Sequence, residues 1–74
     1  MFWTLIEVQR AEGGNPAVVP PVVYMDYDAA LAGLYSALAA AARSGLAYHS
    51  AHLLRSDGIA TDGRVFEHRI AEEE

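Results

Sequence analysis

The sequence predicts a small α+β domain, of order β-β-α-β-β, in which a mainly antiparallel sheet packs on one long alanine-rich helix. Three observations carry that prediction. Runs rich in aromatic and β-branched residues recur towards both ends of the chain, as strands do. Between them lies an alanine-rich stretch whose large residues follow helical spacing. Turn chemistry, EGGNP at 12–16 and SDG at 56–58, separates the runs.

The first strand is FWTLIEVQR, residues 2–10, where Phe2, Ile6 and Val8 alternate in part with Glu7 and Gln9. Beyond EGGNP comes AVVPPVVYM, in which Pro20 and Pro21 forbid a central strand but leave residues 22–25 free to pair at a sheet edge. Asp26 or Asp28 then offers an N-cap whose negative charge suits the positive end of a helix dipole. The helix is DAALAGLYSALAAAARSG, strong because alanine has the best intrinsic propensity and Gly45 supplies a stop behind Arg43. Leu31, Leu34, Tyr35 and Leu38 form the stripe expected to cover the sheet.

A surface helix normally carries a charged face, yet residues 29–42 contain no charge. The far side offers Ala29, Ala32, Gly33, Ser36, Ala37, Ala39 and Ala40, small residues that allow close approach of another helix or sheet. An exposed alanine-rich helix is one reading of this face, and burial in a homo-oligomer is the one preferred. LAYHSAHLLR at 46–55 reads as the next strand. Alternation puts Ala47, His49, Ala51, Leu53 and Arg55 on the helix-covered face, and Leu46, Tyr48, Ser50, His52 and Leu54 on the other. IAT reads as a short returning strand and TDG as a second turn before RVFEHRI.

The 74 residues make one domain, with residues 71–74 as an acidic tail, and a chain this short buries a smaller share of its surface than an average domain. No cysteine is present, which removes disulfides and Cys-based zinc sites, so self-association is the expected source of further stability. An apolar fraction of 53% agrees with that expectation. No run approaches the roughly 18 apolar residues of a membrane span, and MFWTLIEVQR lacks the basic start of a signal peptide, so a cytosolic protein is expected. A net charge of −5 with five basic residues argues against duplex nucleic acid as a partner. All five are arginines. Genomic base composition explains that choice, although arginine is also the better bidentate partner for phosphate or carboxylate.

His49 and His52 form an H-x-x-H pattern that suggests zinc, with His68 as a third ligand. Residues three apart on a strand point to opposite faces, so no metal is expected, and no cofactor. Ser50 adjoins His49 but faces away from it, and no nucleophile elbow or phosphate-binding glycine loop is present, so the chain reads as a non-enzyme. Glu67, His49 and His68 are the general acids or bases that an enzyme would need. His49 reads either as a core histidine bonded to backbone or Tyr35, or as a ligand or interface residue. Trp3, Tyr24, Tyr27 and Phe66 suit stacking on a planar ligand as well as they suit core filling.

The segment AAAARSGLAYHSAHLLRSDG, with EVQR ahead of it, the Tyr35 region and the closing FEH, resembles short uncharacterised proteins of tailed bacteriophages and prophages. These share an N-terminal strand, an A-A-A-A helix end, an H-S-A strand and a terminal histidine after a turn. The matching positions are Tyr35, Ala39 to Ala42, His49, Ser50, Ala51, Gly58 and His68. The resemblance covers most of the chain and brings no established activity with it. By analogy of class it implies a host-takeover factor in the bacterial cytosol, such as a sponge that sequesters a nucleotide immune signal, or else an inhibitor of a host protein or a minor virion component. For a sponge the expected ligand-binding residues are Tyr35, Arg43, His49, Ser50 and Arg55, with Arg55 supplied by a neighbouring subunit. Along one strand His49 and Arg55 are roughly 20 Å apart.

Overall fold

The computed structural model describes residues 1–67, so the expectations that rest on His68 and on the acidic residues 71–74 lie outside the described residues. Elements follow in the order β1 (Trp3–Arg10), β2 (Ala17–Tyr24), α1 (Tyr27–Arg43), β3 (Tyr48–Arg55) and β4 (Ala60–Glu67). The strands form one four-stranded sheet of spatial order β2-β1-β3-β4, every neighbouring pair antiparallel, and α1 packs on one of its faces. The architecture is α+β.

Proline chemistry places β2. Its register against β1 jumps from Leu5↔Val22 to Glu7↔Val19, so Pro20 and Pro21 together oppose Ile6 in a bulge. A strand with two missing N–H donors is tolerated at the sheet margin, where β2 lies. Pairing nonetheless runs back to Ala17, further than residues 22–25. The prolines bend the strand and do not end it.

At the hairpin between β3 and β4, Gly58 takes φ 92° and donates its N–H to Arg55 O at 2.8 Å, while Arg55 N–H donates to Ile59 O at 2.8 Å. That closes the SDG turn. No second turn follows at TDG, because β4 runs unbroken through it. Thr61 is the extra residue of a bulge, since Leu53 pairs with Asp62 and Leu54 with Ala60. Gly63 sits opposite His52, and a Cβ there would run into the imidazole. Glycine serves here as room for a ring that lies across the strand.

Helix α1 starts as its cap dictates, with Asp26 Oδ2 accepting the Ala29 N–H at 3.0 Å. It ends on Ser44 and not on a left-handed Gly45: Ser44 is extended, and both its backbone N–H (3.2 Å) and its hydroxyl (3.0 Å) donate to Ala41 O. The buried stripe also differs from expectation. Ala30, Leu34 and Ala41 are buried with Leu31, Ala37 and Leu38 beside them, while Tyr35 is 62% exposed. The aromatic rings of Trp3 and Tyr24 and the side chains of Leu5 and Leu53 fill the space between helix and sheet, where the helix presents Ala30 and Ala37 beside Leu34. Gly33 and Ala37 therefore leave the expected outer face. The Tyr24 phenol lies across Gly33, and Ala37 packs against the core. Ala29, Ala32, Ser36, Ala39 and Ala40 stay exposed. Among the described residues no helix is long and apolar enough to cross a membrane.

Candidate functional site

Cross-strand register sorts the sheet residues into two faces. Under the helix lie Trp3, Leu5, Glu7 and Gln9 of β1, with His49, Ala51 and Leu53 of β3 and Asp62, Arg64 and Phe66 of β4. On the open face lie Thr4, Ile6, Val8 and Arg10, with Tyr48, Ser50, His52 and Leu54, and with Gly63, Val65 and Glu67. Val18 pairs with Val8 and Val23 with Thr4, extending the open face across β2. Glu7 and Gln9 of β1 thus lie on the helix side, and the β-branched Ile6 and Val8 point away.

Glu7 and Gln9 meet His49 under the end of the helix. His49 is 3% exposed. Its Nε2 lies 2.6 Å from Glu7 Oε2, a charge-assisted distance, and 3.4 Å from the Gln9 side-chain amide. Its Nδ1 lies 3.4 Å from Ser44 Oγ. The Ser44–His49–Glu7 order resembles a nucleophile, base and orienting acid, but the Ser44 hydroxyl lies closer to a backbone carbonyl than to the ring. The single Ser44 hydroxyl proton is directed to Ala41 O at 3.0 Å, so the serine oxygen meets Nδ1 with a lone pair. The cluster ties the last turn of α1 to β1 and β3.

The residues expected to bind a ligand are not brought together. Tyr35 is exposed on the outer helix surface, and the hydrogen-bond partners of the His49 ring are Glu7, Gln9 and Ser44. Ser50 is buried on the open face in a row with Val8 and Val65, opposite to the side that holds His49. Arg43 is exposed at the helix end. Arg55 opposes Trp3 at the far end of β3 from His49, and its guanidinium is taken by Asp57 through Nε at 2.9 Å and Nη2 at 2.6 Å. That hydrogen bond raises the Arg55 pKa and holds the Asp57 carboxyl below its usual range. Arg55 therefore shares its guanidinium with Asp57 at the exposed hairpin. His49 and His52 lie on opposite faces, and among the described residues no group of three or more acidic or histidine side chains could hold a metal ion.

The first turn of α1 is held separately. Tyr27 Oη donates to Asp62 Oδ2 at 2.7 Å, which raises the phenol pKa, and the Tyr27 ring meets Trp3 at a centroid distance of 5.4 Å. Trp3 and Tyr27 are thus engaged with each other, and Tyr24 lies across Gly33.

A shallow hollow of about 250 Å³ lies at one end of the open face, lined by Val8, Arg10, Pro16 and Tyr48. Arg10 is half-buried and has no hydrogen bond or ion pair among the described residues. Sequence reasoning missed Glu7, Gln9, Ser44 and Arg10. The first two were masked because Ile6 and Val8 made the even-numbered face of β1 look like the core side. No family model, curated protein or solved structure matches the chain.

Proposed function

We propose that the protein is a non-catalytic interaction module whose open sheet face binds another protein. The carrying observation is the direction of β1: Ile6 and Val8 face away from the chain's own helix while Glu7 and Gln9 face it. Around them Val18 is 63% exposed, Val23 56% and Val65 48%, with half-buried Leu54 and Tyr48 completing a largely apolar surface. Contiguous apolar surface with a polar rim is the mark of a protein interface. The resemblance to tailed-phage proteins supports a host or virion protein as the partner. The Ser44 hydroxyl bond to Ala41 O, shorter than its 3.4 Å contact with His49, supports the non-catalytic reading.

A photo-crosslinking residue at Val23 or Val65, set against one at Ser36 on the outer helix surface, tests this in the source cells. One discrete protein adduct from the open-face sites, lost on Val8→Glu, is the expected result. Equal labelling from both surfaces, or none, overturns it.

A second reading, sequestration of a small anionic nucleotide-like ligand, rests on Arg10 and Tyr48 in their shallow hollow. Calorimetric titration with cyclic dinucleotides and ADP-ribose derivatives decides it. Binding abolished by Arg10→Ala supports it, and no affinity better than about 100 μM, or ~5.5 kcal/mol, removes it.

A further inference from the structure

We propose that the outer edge of β4 pairs antiparallel with β4 of a second copy, joining two four-stranded sheets into one. This goes beyond the open-face reading and does not depend on it. The two margins of the sheet are β2 and β4. β2 carries Pro20 and Pro21 in its bulge, which withhold donors from any further strand. β4 has its bulge at Thr61 but contains no proline, and among the described residues no further strand lies beside it.

Charge order selects the partner. In Asp62-Gly63-Arg64, opposite charges flank a glycine, and both charged residues belong to the helix-side face. An antiparallel pair of identical strands has a two-fold centre, and centring it on Gly63 sets Asp62 against Arg64 of the other copy, twice. Centring on Arg64 would oppose two guanidiniums, and centring on Asp62 two carboxylates, both destabilising. From Asp62 to Arg64, beyond the Thr61 bulge, pairs in the Gly63 register join residues of the same parity, so backbone groups that point outward in one copy meet outward-pointing groups in the other. The same parity keeps both helices on one side, which makes the two open faces continuous. Arg64 is exposed and has no ion pair among the described residues, whereas Asp62 uses one oxygen for Tyr27 and retains the other. A closed two-fold interface of this kind is the commonest form of self-assembly.

Light scattering and sedimentation over micromolar concentrations test the proposal on the full chain. The native protein is expected to be a dimer. Arg64→Asp, which sets carboxylates opposite each other, should weaken it about ten-fold or more. Arg64→Asp combined with Asp62→Arg should restore the dimer, and circular dichroism of each variant separates loss of pairing from loss of fold. If Arg64→Asp does not fold, Arg64→Gln, which removes one charge from each pair, gives the same reading with a smaller expected weakening. A monomeric native protein, a dimer indifferent to Arg64→Asp, failure of the double exchange to restore pairing in a folded chain, or dissociation by Ala32→Glu on the outer helix surface instead would each overturn the β4 interface.

Discussion

On the covered face of the sheet, β1 spends Glu7 and Gln9 on a hydrogen-bonded cluster, and on the open face it displays Ile6 and Val8. An isolated domain selected only for stability would do the reverse, because a buried ion pair seldom outperforms apolar residues of similar volume. The difference teaches that the two faces answer different needs. The covered face combines a small apolar core of Leu5, Ala30, Leu34, Ala51 and Leu53 with a polar pin that fixes where the helix ends. The open face is apolar without a covering element of its own chain, so its side chains are suited to contact more than to folding.

Truncation breaks the comparison most sharply. Leu34→Ala removes one of the largest fully buried side chains and should cost about 2–5 kcal/mol by denaturant unfolding, whereas Val65→Thr on the open face should stay within about 0.5 kcal/mol. Similar losses at both sites would mean that the open face is folded against something. Next in size is Glu7→Gln, which leaves His49 buried without its carboxylate; a loss of about 1.5–3 kcal/mol is expected, read in the same unfolding experiment. A neutral outcome would mean that the pin contributes nothing to the covered face.

The smallest effect concerns the other end of the helix. The raised phenol pKa of Tyr27 means that the folded state holds that proton more tightly than the unfolded state. Its stabilisation is fully present below the ordinary phenol value near 10 and is lost as pH rises through the folded value. Thermal melts of Tyr27→Phe and native protein should therefore differ at neutral pH and converge under alkaline conditions. Curves that stay parallel would remove the Asp62 bond from the account.

The class of the fold, a helix on an antiparallel sheet, was legible because helical spacing, capping and edge prolines act locally. Asp26 caps as its residue type demands, and Pro20–Pro21 lie at a sheet margin. Non-local effects were not legible. Alternation in β1 gives two faces but not which one meets the helix, and Tyr35 is outside the buried stripe because bulky residues from distant strands already fill that space. TDG reads as a turn in isolation; only the facing His52 ring explains a glycine inside a strand. The site was the least visible part, since the Glu7–His49–Ser44 cluster joins three separate elements and Arg55 is occupied by an aspartate two residues away.

The prolines of β2 also bear on how the chain behaves at high concentration. A unit with two reactive ends polymerises, whereas a unit with one end stops after a single coupling. Pro20 and Pro21 remove donors at one margin and bend it, so the pairing proposed for β4 would leave no second edge for growth. In a chain with an apolar fraction of 53%, that chain-stopper would keep such pairing finite and deny it the repeated addition from which fibres grow.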